Sequence, residues 1–213
     1  MVQAKICGLS TPEAVKAAAD GGAAFVGFVF FDKSPRYVAP ETAERLAEPL
    51  RGKPVKVVAL MVDPDDAAVD LAARTLKPDL IQLHGRESPA RARAIGERAG
   101  CGLIKVLPVA EASDLDPARD FDGLVEHLMF DARPPKDADR PGGHGAPFDW
   151  TLLAGRRFSR PWLLAGGLDP WNVADAVRAS GAPIVDVSSG VERGPGLKDP
   201  PLIAAFLEAV RRL

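Results

Sequence analysis

The chain has 213 residues, 46% hydrophobic and 26% charged, which is ordinary globular composition and long enough for a core that needs no disulfide or metal. A formal net charge of -2 argues against a nucleic-acid or polybasic-membrane partner, because such recognition rests on clustered Lys and Arg. The two cysteines, Cys7 and Cys101, form no CxxC and no Cys/His cluster, and no apolar run approaches the ~20 residues of a spanning helix. No metal, no cofactor loop and no membrane segment is therefore expected. With no signal-peptide pattern ahead of the first strand, a soluble cytoplasmic protein is the expectation.

In chain order, apolar strand-like runs fall at Val2–Cys7, Ala24–Phe30, Val55–Val62, Leu80–His84, Gly102–Leu107, Val125–Asp131, Pro161–Ala165 and Ile184–Ser188. Amphipathic, Ala-rich helical stretches lie between most of them. Thr11-Pro12, Asp63-Pro64, Ser88-Pro89, Asp169-Pro170 and Asp199-Pro200 each offer an N-cap followed by proline, where the missing N–H costs nothing. The fifth helix, around Ala112–Phe121, and the sixth are the weakest elements. Strands alternating with helices imply right-handed βαβ units and a parallel sheet. Eight such units in one chain of this length predict an α/β fold of the (β/α)8 TIM-barrel type, a single domain over residues 1–213. An open doubly wound sheet is the second reading, since alternation alone does not decide closure. The one long irregular stretch, 132–147, is rich in Pro and Gly and follows strand six, where a loop of that length is more often functional than a domain boundary.

Barrels of this type place their active groups at the C-terminal ends of strands. There the sequence offers Cys7 after strand one, Arg36 in "FDKSPRYV" after strand two, His84 after strand four, Asp131 after strand six, and Asp186 to Ser189 on strand eight. Side-chain alternation sets Lys5 and Cys7 on the face opposite Ala4 and Ile6, so that both point into the barrel. Lys5 then needs an interior partner, and Asp186 qualifies. Taken one at a time, these residues have plainer explanations: a small buried hydrophobe for Cys7, a solvated charge for Arg36, a satisfied turn residue for His84. Asp131 is followed by Ala-Arg-Pro-Pro rather than a helix start, which weakens a capping role. His127 belongs at the barrel bottom or in solvent, and Cys101 reads as filler.

Three glycine-rich turns, "PGGHG" at 141–145, "AGGLDPWNV" at 165–173 and "DVSSGVERGPG" at 186–196, end strands six to eight. Glycines let backbone N–H groups approach an anion closely, and this end of the barrel commonly holds phosphate. No nucleotide-type GxxxxGK[ST] or strand-following GxGxxG is present. A thiol and a carboxylate on different sides of one barrel mouth suit proton transfer in an isomerisation.

Together, "KICGL", "GFVFFDKSPRYV", "QLHG", "FDA", "PGG-G…FDW", "GGL-P-NV" and "DVSSGVE--PG-KD" resemble the phosphoribosylanthranilate isomerase family, in that family's order and spacing over essentially the whole chain. The resemblance implies a barrel without cofactor or metal that performs an Amadori rearrangement in tryptophan biosynthesis, as a monomer or homodimer. It implies Asp131 as general acid, Cys7 as general base and Arg36 as the group holding a carboxylate. It also implies phosphate contacts at Gly142, Gly143, Gly167, Ser189 and Gly190, with Asp186 counted among the substrate-side residues. The chain departs from the family pattern at His144 and at Ala146-Pro147, and its "PPKDADR" segment is longer and more charged than usual. Alternatives are the related ribosylamine isomerase of histidine synthesis, which typically has a carboxylate at the Cys7 position, a flavin-binding barrel, and a non-catalytic phosphate-ligand binder.

Overall fold

A computed structural model describes residues 1–134 and 147–213. Gly142, Gly143 and His144, singled out from the sequence, lie outside the described residues. Eight parallel strands close into a barrel in sequence order: β1 Gln3–Cys7, β2 Phe25–Val29, β3 Lys56–Met61, β4 Leu80–Leu83, β5 Gly102–Val109, β6 His127–Ala132, β7 Leu163–Leu164 and β8 Ile184–Val187. The closing pair is β1 with β8, with Lys5 opposite Asp186. Closure removes both sheet edges and excludes the open doubly wound reading.

Helices α1 Pro12–Asp20, α2 Pro40–Ala47, α3 Asp66–Thr75, α4 Pro89–Ala99, α5 Ala118–Phe121, α6 Val173–Ser180 and α7 Pro200–Arg211 accompany the strands. Thr11, Ser88 and Asp199 cap α1, α4 and α7 through their side chains, as the Pro-containing starts predicted. Two predicted starts are displaced. Asp65, not Asp63, caps α3, and α6 begins only after Asn172. The displaced aspartates bind loop backbone instead: Asp63 accepts from Arg86 N at 2.7 Å, and Asp169 from Trp171 N and Asn172 N at 2.7 and 2.8 Å. The fifth helical region is a 3-10 turn, Ala112–Leu115, followed by the four-residue α5, and the sixth is a 3-10 turn at Trp150–Leu153. Past β8 the chain forms a 3-10 turn, Ser189–Val191, and an antiparallel hairpin of β9 Glu192–Gly194 and β10 Leu197–Lys198, which strand patterning did not anticipate.

Strand alternation divides the core in two. Ala4, Ile6, Val26, Phe28, Val185 and Val187 pack outward with helix residues such as Ala14, Ile95 and Phe206. A separate inner cluster, including Phe25, Val58, Ile104, Met129, Leu163 and Ile184, fills the barrel. Each such side chain, fully buried, contributes about 1.5–3 kcal/mol. This apolar plug occupies the lower interior; above it, polar side chains such as Lys5, Gln82 and Asp186 share the space with a small apolar group of Cys7, Val29 and Leu60. No helix among the described residues is long and apolar enough to cross a membrane.

Candidate active site

β1 delivers Lys5 and Cys7 to the barrel interior, both nearly or wholly buried. Lys5 Nζ donates to Asp186 Oδ1 at 2.7 Å, so the predicted interior pair forms. Burial disfavours the lysine charge, but Asp186 and Cys7 together outweigh it and hold the ammonium above its ordinary range. For Cys7, burial dominates and pushes the thiol up; Lys5 pulls it down and Asp186 pushes it up again. Room for this cluster comes from Gly27 on β2, where a Cβ would stand 3.1 Å from Cys7 Sγ and 3.2 Å from Lys5 Nζ. Any larger residue would displace one or the other.

Across the mouth, three strands away round the ring, Asp131 is the penultimate residue of β6. Its Oδ1 accepts from Ala132 N at 2.8 Å, which fixes the carboxylate plane. Gly166, at φ +88°, brings the chain after β7 against it: a Cβ there would lie 2.7 Å from Ala132 N and 3.3 Å from Asp131 Oδ1. That approach requires both the left-handed backbone and the missing side chain.

His84 is not the plain turn residue that the sequence suggested. Its Nε2 lies 3.4 Å from Asp131 Oδ2, and its Nδ1 lies 3.2 Å from the Gln82 amide on the inward face of β4. The signal that could have found it is strand parity: Gln82 and His84 are two apart, so both face the interior. Just beyond it, the β4 turn is pinned by a buried pair. Lys105 Nζ donates to Glu87 Oε2 at 2.6 Å and to Gly85 O at 2.7 Å, while Glu87 Oε1 accepts from Asp63 N and Gly85 N at 2.9 and 3.0 Å.

Arg36 is 6% exposed, which rules out a solvated loop charge. It pairs with Glu192, and Glu192 also meets Lys198; neither residue was singled out from the sequence. Ser188 Oγ donates to Cys7 O at 3.2 Å and lies 3.2 Å from Lys198 Nζ, tying β8 to β1. At the turn after β7, Gly166 and Gly167 are both left-handed, and Asn172 Nδ2 donates to Gly167 O at 2.8 Å. The 3-10 turn after β8 begins at Ser189-Gly190, whose N–H groups a helix start leaves without intrahelical partners. Gly190 packs so closely on Leu168 that a Cβ would lie 1.9 Å from Leu168 O, so the two glycine turns abut. Of the other sequence candidates, His127 sits at the opposite end of the barrel with Nδ1 against Pro161 O, and Cys101 is half-buried at the end of α4. Among the described residues no three His, Cys, Asp or Glu gather as a metal site.

Fold and site together define a (β/α)8 barrel with a thiol and a carboxylate facing one mouth beside glycine-rich turns. Residues 4–209 match the family described as N-(5'phosphoribosyl)anthranilate (PRA) isomerase, and the chain belongs to that family. A relative from Caulobacter sp. (strain K31), named N-(5'-phosphoribosyl)anthranilate isomerase, is 70% identical over 100% of both chains. One of the same name from Caulobacter vibrioides is 67% identical over 98% of this chain and 95% of its own. Among solved structures, the phosphoribosyl anthranilate isomerase of Thermotoga maritima superimposes with a TM-score of 0.89 at 35% identity, with 100% of both chains covered. A structure of such an isomerase in complex with reduced 1-(o-carboxyphenylamino)-1-deoxyribulose 5-phosphate gives 0.85 at 33% identity, again over 100% of both.

Proposed function

We propose that the protein isomerises N-(5-phosphoribosyl)anthranilate to 1-(2-carboxyphenylamino)-1-deoxyribulose 5-phosphate in tryptophan biosynthesis, with Asp131 as general acid and Cys7 as general base. The observation that carries this reading is the pair of proton-transfer groups at the C-terminal ends of β1 and β6, Cys7 last in its strand and Asp131 next to last, facing one barrel mouth. Asp131 gives its proton to the ribose ring oxygen as the C1–O bond breaks, and the nitrogen lone pair forms an iminium at C1. Cys7 takes the proton from C2, and the C–H electrons become the C1–C2 double bond of an enolamine while the iminium is neutralised. Return of a proton to C1 and loss of the C2 hydroxyl proton leave the ketone. Atoms balance, no electron acceptor is needed, and no cofactor enters.

Cys7 acts as the thiolate, its own proton having left to solvent before the C2 proton is taken. Burial and Asp186 work against that form, whereas Lys5 and the cationic iminium beside it work for it. Lys5 supplies a standing positive charge from below. Arg36 holds the anthranilate carboxylate with N–H groups suited to a planar anion. The phosphate lies on backbone N–H groups of Gly167, Ser189 and Gly190. We read the enzyme as a soluble cytoplasmic protein, monomer or homodimer; in support of the latter, one related structure is of monomers generated from a dimeric isomerase of Thermotoga maritima.

Turnover of freshly generated substrate, followed by loss of anthranilate fluorescence, tests the reading. Wild type should turn over, and Cys7→Ala and Asp131→Asn should each lose about 10²–10⁴ in kcat while remaining folded. Near-normal turnover by either variant removes that residue from the mechanism.

A further inference from the structure

The Glu192 carboxylate is almost wholly enclosed, with 4% of its side chain exposed, and takes four donors. Oε1 accepts from Arg36 Nε at 2.7 Å and from Lys198 Nζ at 2.5 Å. Oε2 accepts from Arg36 Nη2 at 2.9 Å and from Gly196 N at 3.2 Å. Burial works against its charge, but the Arg36 and Lys198 contacts prevail and keep it ionised below its ordinary range.

This arrangement decides which cation can meet a ligand. Lys198 Nζ already faces three acceptors, Glu192 Oε1, Ser188 O at 3.0 Å and Ser188 Oγ at 3.2 Å, and an ammonium has three N–H bonds. It has nothing left to offer. Arg36 has five, and Glu192 takes one from Nε and one from Nη2. The Nη1–Nη2 edge is left, and Nη1 makes no protein hydrogen bond among the described residues. The two cations and one carboxylate sum to a single positive charge. The trio therefore presents one fork and one uncompensated charge, the match for one planar carboxylate.

The fork is also held rigidly. Gly8 packs on the arginine stem, so that a Cβ there would lie 2.7 Å from Arg36 Cδ. At the hairpin bend Gly196, with φ +77°, comes so close to the chain before Arg36 that a Cβ would lie 2.2 Å from Pro35 O. The hairpin thus grips both the guanidinium and the loop that carries it.

We infer that Glu192 is a positioning residue for Arg36, and that the β9–β10 hairpin carrying it sets the preference of the site for a ribosylamine whose aryl group bears a carboxylate. The inference rests on the isomerase reading above. Its test compares kcat/KM on phosphoribosylanthranilate with kcat/KM on the carboxyl-free phosphoribosylaniline, for wild type, Glu192→Gln and Glu192→Asp. Wild type should prefer the carboxylated substrate. Glu192→Gln should lower that preference about tenfold, mainly through KM of the carboxylated substrate. Glu192→Asp keeps the charge but shortens the reach, and should fall between the two, so the comparison survives if the glutamine variant does not fold. A preference that stays unchanged while both substrates decline together, or while neither declines, overturns the inference and leaves the isomerase standing. Turnover of neither substrate by wild type overturns both.

Discussion

His84 Nε2 lies 3.4 Å from Asp131 Oδ2, the carboxylate oxygen opposite the one that Ala132 N occupies. With Gln82 3.2 Å from the other ring nitrogen, the imidazole is held from behind and faces Asp131 in front. An acid that must reach a ring oxygen within hydrogen-bond distance gains from losing its rotational freedom.

His84→Ala should therefore lower kcat by about 10–100-fold, less than the roughly 10²–10⁴ that a general acid itself contributes, with KM little changed. His84→Gln, whose amide nitrogen reaches about as far as Nε2, should recover part of the loss. Steady-state kinetics on both variants provide the check. An unchanged kcat in the alanine variant would make the histidine a bystander.

Cys7 should leave its mark on the pH profile. Since burial pushes the thiol up, kcat/KM should go on rising through the ordinary thiol value of about 8.5 instead of levelling near neutrality. The sign can be tested from both sides. Lys5→Met removes a cation that lowers the thiol, and should move the rising limb to higher pH. Asp186→Asn removes an anion that raises it, and should move the limb to lower pH. Each variant breaks a buried pair at a cost of about 3–5 kcal/mol, so both need to be measured where they are still folded. The pH dependence of Cys7 alkylation reads the thiolate directly. Shifts in the same direction for both variants would discard the electrostatic account.

How much of this was legible beforehand depended on what kind of signal each residue gives. Period-2 alternation placed Lys5 and Cys7 on an inward face with Asp186 as interior partner, and the structure agrees because a closed barrel gives each strand one interior face. Proline-flanked caps marked three helix starts but misplaced α3 and α6, because Asx side chains bind turn backbone as readily as helix N–H groups. The contact of His84 with Asp131 joins strands that are not neighbours: parity within "QLHG" turns His84 inward, but nothing local there names its partner. Glu192 and Lys198 were hidden in "ERGPGLK", where glycine and proline mask a two-stranded hairpin as a loop. The pairing of Arg36 with Glu192 spans 156 residues, a separation that only tertiary closure defines.

His127 offers a prediction about stability rather than activity, because it lies at the end of the barrel away from Cys7 and Asp131. Burial lowers its pKa, and the nearby Lys56 and Arg160 add to that, while the Pro161 carbonyl and Glu126 work against it. Nδ1 lies 2.6 Å from Pro161 O, and the ring meets Phe25 edge-on with centroids 5.7 Å apart. Unfolded histidine titrates near 6.5, so between that value and the lower folded one the unfolded chain binds the proton more readily. The contribution is complete above about pH 6.5 and is lost as the pH falls, with a slope of at most about 1.4 kcal/mol per pH unit. Carboxylates with depressed pKa values, such as Glu192, act at lower pH and do not cover this window. In urea titrations His127→Phe should flatten the decline in unfolding free energy between pH 7 and 5.5 and leave turnover near that of wild type. Parallel declines in the two proteins would place the acid sensitivity elsewhere.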